Sequence, residues 1–438
     1  KFWRAEIDYM TDAGVVLHVE GSGWDEAITS ARAGARYHVL SYELVEGLLP
    51  HLLALGLKWL VIDESHRIKD SRGVRRKSIR ELVGKCTRQI QLTATPNPDR
   101  TRDFYGQWDM LEPGAWGPFA LSEKRRNGPD PKPAAWADRY CDAHSDEYGH
   151  YDTRGYSNLE ELKWRWATLV HFVSEEETRA MLPPVARIVH NISRAELLKG
   201  RAGVGVPAEE GLREQIRAES WFEAKLAEAA SRKRPYIIEL TADVAPAGGK
   251  VIIMTGRHAD VKALGHALDK RLNPADRTEK RVWLRAIHGG DKSEGGLSPE
   301  EQEDVRAEYM AVKGAAVLIG TADILAESGN MQDTDALIHA MLPWTYGQIR
   351  QRRGRVQRLG GKRCVEHFLI AEGTVDEHVN ERLLSKLPPY EALTGDSEPA
   401  ALERDLSGES DDAGVLASLV EATLASRRQE NDGPQEAA

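Results

Sequence analysis

Asp63, Glu64, Ser65 and His66 follow directly on an apolar run, Trp59-Leu60-Val61-Ile62, that reads as a buried strand. Two carboxylates at the end of such a strand suit nucleotide hydrolysis. One can hold, largely through water, a Mg²⁺ that bridges phosphates; the next can orient and deprotonate an attacking water. Buried acids without partners are costly, so two side by side imply a metal or a cation nearby. The same pair also occurs where an ordinary strand runs out into solvent.

Two further groups bear on that choice. Leu92-Thr93-Ala94-Thr95-Pro96 places small hydroxyl residues at a second strand end, where they could link the carboxylates to a neighbouring segment. Far downstream, Trp344 to Gly360 reads WTYGQIRQRRGRVQRLG. Arg355 and Arg358 are three apart, so on a helix they share a face. Two guanidiniums projecting together offer planar forks of donors to a polyphosphate. A solvated basic face or a nucleic-acid patch would use the same residues.

The elements that must position these groups follow an alternating rhythm. Strand-like runs at Val15 to Leu17, Tyr37 to Leu40, Trp59 to Ile62 and Gln89 to Leu92 alternate with helix-like segments. That pattern predicts an α/β domain with a mainly parallel sheet over residues 1–120. Residues 121–245 lose the rhythm: Pro129, Pro131 and Pro133 mark a loop, and helical periodicity appears in Asn158 to Val170 and Gly211 to Ser231. This stretch reads as helical insertions plus a linker. The alternation resumes at Lys250 to Met254, Ala316 to Ile319 and Cys364 to Ile370, and a helix from Val375 to Leu387 stops at Pro388-Pro389. A second α/β domain therefore spans 246–390, and an acidic tail, read as mostly disordered, spans 391–438.

The net charge of −10 over 438 residues argues at first against a nucleic-acid partner. From Glu391 onward, however, lie 12 of the 69 acidic residues and only 3 of the 59 basic ones, leaving 57 acids and 56 bases in the body. A near-neutral body with local basic clusters is compatible with DNA. No apolar stretch approaches the roughly 20 residues of a membrane span. Cys86, Cys141 and Cys364 are distant and odd in number, which predicts a reducing compartment without disulfides or a zinc cluster.

Taken jointly, these elements resemble the engine of the superfamily 2 helicases, and within it the Snf2 family of DNA-dependent ATPases. Asp63-Glu64-Ser65-His66 is similar to the family's motif II and Leu92 to Pro96 to motif III. Leu40-Ser41-Tyr42-Glu43 resembles motif Ib, Lys1 to Glu6 the end of motif Ia, Lys250 to Thr255 motif IV, and Ile287-His288-Gly289-Gly290 the segment after it. Asn330, Trp344, Gln351, Arg355 and Arg358 reproduce the spacing of motifs V and VI, and Phe368 to Glu377 resembles the segment leading into a brace helix. Asp138 to Ala143, Ser157 to Leu162 and Leu182-Pro183-Pro184 resemble the annealing-helicase-like subgroup.

The resemblance implies two RecA-like parallel-sheet lobes, ATP and Mg²⁺ as cofactors, and duplex or branched DNA as partner. It also implies a chain expected to be monomeric and located with DNA, in the cytoplasm of a bacterial or phage-infected cell or in a nucleus. It implies roles as well. Asp63 would hold the metal, Glu64 act as general base and His66 relay nucleotide state. Arg355 and Arg358 would act as arginine fingers, with Gln351, Gly329 and Asn330 at the nucleotide. Ser41, Tyr42, Thr93, Thr95 and His288 would lie along nucleic acid, while Trp344 reads as core. The sequence departs from the family at Ser328-Gly329, Gly361 and Gln302. No G-x-x-x-x-G-K-[ST] loop is present, since Gly84 to Thr87 and Gly249 to Val251 do not fit it. In the family that loop precedes motif Ia and is expected upstream of Lys1. A strand-separating helicase and an ATPase-inactive DNA-binding module are the competing readings.

Overall fold

The computed structural model describes residues 3, 7, 16–19, 36–69, 73–94, 100–120, 135–145, 151–173, 177, 181–193, 218–274, 281–290, 295–327, 329–384 and 386. They belong to two compact units, Lys1–His171 and Phe172–Ala438. No described helix is long and apolar enough to cross a membrane. The acidic tail, Thr95, Ser328 and most of Lys1 to Glu6 lie outside the described residues.

The first unit is built from parallel strand pairs and the helices that cover them. β1 (Val16–Val19) pairs in parallel with β2 (Tyr37–Leu40), and α1 (Tyr42–Ala54) follows. β3 (Trp59–Ile62) pairs in parallel with β4 (Arg88–Gln91), with α2 (Val74–Val83) between them in sequence. On α1, Leu44, Leu48 and Leu52 recur every fourth residue and are buried. They meet Ile62, Ile68, Ile79, Leu82 and Met110 in one core. β3 is not the buried strand its composition predicts: Ile62 is buried, but Trp59 is 57% and Val61 51% exposed. The described helices pack on the face that carries Ile62, and Trp59 lies beside the Arg88 guanidinium, 5.4 Å from the ring centre.

After β4 come α3 (Arg102–Leu111), α4 (Trp136–Tyr140), a short antiparallel pair β5 (His144–Ser145) and β6 (Tyr151–Asp152), and α5 (Leu159–Trp166). Aromatic rings join these helices. Phe104 meets Trp108 edge-on at 4.3 Å, Trp108 stacks on Trp166 at 4.7 Å, and Trp136 lies 4.7 Å from Tyr140.

The second unit is a doubly covered parallel sheet. Its strands are β7 (Val185–Ile192), β8 (Lys250–Thr255), β9 (Trp283–Ile287), β10 (Ala316–Thr321), β11 (Ala336–His339) and β12 (Cys364–Ala371). They lie in the order β7-β12-β11-β8-β10-β9, every pair parallel. The helices are α6 (Ala218–Val244), α7 (His258–Leu272), α8 (Pro299–Ala311), α9 (Ala322–Glu327), α10 (Tyr346–Arg353) and α11 (Val375–Leu384). Strand side chains alternate between two cores. Val251, Ile253, Val317 and Ile319 join α6 and α7 on one face, while Ile252, Met254, Ala316 and Leu318 join α8 and α9 on the other. A third core seats α10 and α11 on Phe368 and Ile370, with Trp344 packed against it.

Two elements depart from the sequence reading. β7 lies in the stretch that lost the strand rhythm, yet it forms the sheet edge along all of β12. The helix read as ending at Ser231 runs to Val244, through Pro235. Its buried positions, Ala229, Lys233, Ile237 and Thr241, repeat every fourth residue, but two are polar, which hides the stripe. Lys233 is accommodated by Asp376, 2.8 Å away.

Burial of histidines makes the second unit acid-sensitive. His190 on β7 contacts Tyr236 Oη at 2.7 Å and His367 Nδ1 at 2.9 Å. Burial pushes His190 down to about 4 and His367 to about 3. Both are therefore neutral in the folded chain, whereas the unfolded chain protonates them below about 6.5. Stability is retained above that pH and lost as pH falls toward 4, at up to about 1.4 kcal/mol per pH unit for each ring. Melting of the second unit followed between pH 7 and 4.5 is expected to show this slope, and His367→Leu should make it shallower.

Candidate active site

The acidic tetrad sits where β3 runs into a tight turn. Ser65–Ile68 forms a single 3₁₀ turn, and Glu64 before it has φ 51° and ψ 51°. The left-handed region is unfavourable for a non-glycine residue, and such outliers persist only where their surroundings enforce them. Several contacts do so. The Ser65 amide donates to Leu92 O at 2.9 Å, tying the turn to the end of β4. Tyr42 Oη donates to Asp63 O at 2.6 Å and lies 3.3 Å from Glu64 O. The Glu64 amide donates to Asp63 Oδ1 at 3.0 Å.

The side chains converge on one point. His66 Nδ1 lies 3.1 Å from Thr93 Oγ1 and 3.2 Å from Glu64 Oε2. Thr93 Oγ1 donates to Glu64 Oε2 across 3.4 Å. Glu64, His66 and Thr93 thus form a closed triangle. Glu64 and His66 are only partly exposed. Asp63 is exposed at the strand end, and Trp3 Nε1 donates to its Oδ2 at 2.7 Å. Each Asp63 oxygen therefore has one donor and a second lone pair to spare, which suits a carboxylate that meets a hydrated cation through water.

α3 clamps the turn from behind. Ser65 Oγ donates to Gln107 Oε1 at 2.8 Å, and Lys69 Nζ reaches Asp103 Oδ2 at 3.2 Å. Gly106 crosses closest: a Cβ there would stand 2.4 Å from Lys69 O and 2.6 Å from Ile68 O.

In the second unit the basic segment is not the helix face its spacing predicts. α10 is capped by Thr345, whose hydroxyl accepts from the Gln348 amide, and ends at Arg353 with Gly354 as C-cap. Arg355 and Arg358 therefore lie in the turn beyond the helix. Arg355 Nε donates to Ala326 O at 2.7 Å, and its carbonyl accepts from the Met331 amide at 2.8 Å. Those two bonds link the Arg355 turn to the segment holding Gly329 and Asn330. Gly329 has φ 80° beside the Arg306 side chain, and Asn330 is exposed. Gln351 is half-buried on α10. Burial pushes the Arg358 guanidinium down, and its Nε is buried with no hydrogen-bond partner among the described residues.

Buried charge anchors α10. Glu366, fully buried on β12, accepts from Arg353 Nε and His339 Nε2, each at 2.9 Å. The nearby Arg353 charge and His339 hydrogen bond outweigh burial and hold its carboxyl at about 2.

The residues read as nucleic-acid contacts are distributed differently. Ser41 is exposed ahead of α1, whereas the Tyr42 hydroxyl is engaged in bracing the acidic turn. His288 is buried at the end of β9, bonded to Gly289 O at 2.8 Å and stacked on His258 at 4.7 Å. Trp3, Gln107 and Glu366 escaped the sequence reading. Their roles come from contacts tens of residues distant, which no local pattern announces.

Comparison with known proteins adds the lineage. The helicase conserved C-terminal domain family matches residues 233–360. The chain is 22% identical over 366 residues to the SWI/SNF-related matrix-associated actin-dependent regulator of chromatin subfamily A-like protein 1 of Xenopus tropicalis, covering 82% of this chain and 35% of that protein. It is 26% identical over 355 residues to the DNA annealing helicase and endonuclease of Mus musculus, covering 78% of this chain and 31% of that protein. An uncharacterized ATP-dependent helicase of Bacillus subtilis is 21% identical, over 79% of this chain and 62% of that protein. The chain thus spans about a third of the length of the first two relatives. The structure of a Sulfolobus solfataricus SWI2/SNF2 ATPase core in complex with dsDNA aligns over 92% of this chain and 83% of its own, with 17% identity and a TM-score of 0.33. By these matches the chain is similar in sequence to proteins of the Snf2 type, and its residues 233–360 match the helicase conserved C-terminal domain.

A half-buried guanidinium with an unpartnered donor favours an anion. Inorganic triphosphate at millimolar concentration is expected to raise the melting temperature of the chain by a few degrees, and Arg358→Ala should remove most of that increment.

Proposed function

We propose that this Snf2-family chain is the motor part of a DNA-dependent ATPase that uses ATP hydrolysis to move on duplex or branched DNA and to remodel or reanneal it. The observation that carries the reading is Glu64. A carboxylate in a left-handed turn, backed by His66 and Thr93 and beside the exposed Asp63, is built for water activation rather than for stability.

In this reading Glu64 takes a proton from the water that attacks the terminal phosphate of ATP. His66 and Thr93 hold the carboxylate in place, so that the proton acceptor is oriented before substrate arrives. Asp63 is the residue that would hold Mg²⁺, which when bound neutralises charge on the phosphates. Arg355 and Arg358, in the second unit, are suited to stabilise negative charge on a polyphosphate, and Arg358 brings a donor with no hydrogen-bond partner among the described residues. The names of the relatives, an annealing helicase and a chromatin regulator, support DNA as the substrate that stimulates the cycle.

In the full-length protein, Glu64→Gln is expected to lower DNA-stimulated ATP hydrolysis by at least about a thousandfold while nucleotide binding persists. Full turnover in that variant would sink the assignment. Arg355→Ala combined with Arg358→Ala should cost a comparable factor. Hydrolysis within a few-fold of the parent would separate these arginines from the ATP chemistry.

A further inference from the structure

We infer that Gln107 is a positioning residue for Glu64, acting through Ser65. The inference rests on the reading of Glu64 as general base. Ser65 follows Glu64 directly and is 1% exposed, and its hydroxyl donates to Gln107 Oε1 at 2.8 Å. Gln107 is itself buried, and its Nε2 donates to Asp103 O at 3.3 Å within α3. That second bond fixes which end of the amide faces Ser65. The backbone of the turn is held on its other side by Ser65 N to Leu92 O. Ser65 is thereby fixed from two elements, and the strained φ of Glu64 has little freedom to relax into the right-handed region.

Gln107 can do this because α3 is itself immobilised. Gly106 lets the helix approach the Ile68 and Lys69 carbonyls more closely than any side chain would permit. Its outer face is wedged by Phe104 and Trp108 against Trp166. Its C-terminal half is held by Asp109, which pairs with Arg76 and, at 2.6 Å, with Arg80 on α2. The geometry therefore carries rigidity from an aromatic core through one amide to the residue beside the base. Misplacement of a catalytic group by about 1 Å is enough to cost roughly a hundredfold in rate.

The test separates position from stability. In the full-length protein, Gln107→Met and Ser65→Ala each leave a buried polar group without its partner, and both should lower the melting temperature. Each is expected to lower kcat for DNA-stimulated ATP hydrolysis 10- to 100-fold with KM for ATP changed less than twofold. The double variant replaces both polar ends, so its melting temperature should return toward the parent. Its kcat should stay low, because the side-chain tie between position 65 and α3 is then absent and only the backbone bond to Leu92 O remains. Recovery of kcat together with melting temperature would show a structural role only and overturn the inference, as would single variants with kcat within twofold of the parent. If the double variant does not fold, the kcat and KM of the two single variants decide. Glu64→Gln in the same assay keeps the outcomes apart. If it is inactive while Gln107→Met is fully active, this inference alone fails; if it turns over fully, the reading of Glu64 fails.

Discussion

A carboxylate held in a left-handed turn is the constraint on which the organisation of the first unit depends. Such a conformation costs on the order of 1–3 kcal/mol and relaxes unless it is over-determined. Around Glu64 the turn is tied to β4 through Leu92, to the start of α1 through Tyr42, and to α3 through Ser65 and Lys69. These ties come from three separate elements, so no single rotation releases them all. The strands and helices of this unit can thus be understood as supports converging on one backbone position.

The second unit solves a different problem, the holding of cations. Its sheet is apolar on both faces, and a doubly covered parallel sheet has little room for charge. Yet α10 carries Arg352 and Arg353 into the interior, both about 3% exposed. Glu366 makes this tolerable by accepting from Arg353 and His339 together, while Arg352 Nη1 donates to Met341 O at 3.0 Å. A buried carboxylate so paired stabilises little in net terms, but removing it would strand a guanidinium without water. The consequence is specificity of placement. α10 has one seat on the sheet, and the turn that follows it, with Arg355 and Arg358, inherits that position.

The sequence and the structure agree most where the signal is local. Strands β3, β8, β10 and β12 were legible within a few residues because each is a short, largely apolar run. Three features were not. β7 lies amid residues without strand rhythm and owes its conformation to β12 beside it. The long helix α6 buries Lys233 and Thr241 on its inner face, so its apolar stripe is broken in sequence though continuous in space. Arg355 and Arg358 have helical spacing, but Gly354 ends the helix before them, and hydrogen bonds to Ala326 and Met331 set the turn instead. In each case a contact distant in the chain overrode the local preference.

The two sets of candidate catalytic groups differ in how far their hydrogen-bonding capacity is already committed. On the acidic side Asp63 accepts from Trp3 and from the Glu64 amide, and Glu64 is engaged by Thr93 and His66. These carboxylates are oriented by the protein itself, before any ligand is present. On the basic side Arg355 is tied to the backbone of the Ala326 to Met331 segment, but Arg358 retains a buried, unpartnered Nε. A base must be fixed in advance, because an ill-placed carboxylate deprotonates nothing. A cation that stabilises developing charge gains by being satisfied only when that charge appears, since a donor already spent internally would favour the ground state as well. The pairing of Glu64 with His66 and Thr93, and the unpartnered Arg358 Nε among the described residues, are what the roles proposed for them call for.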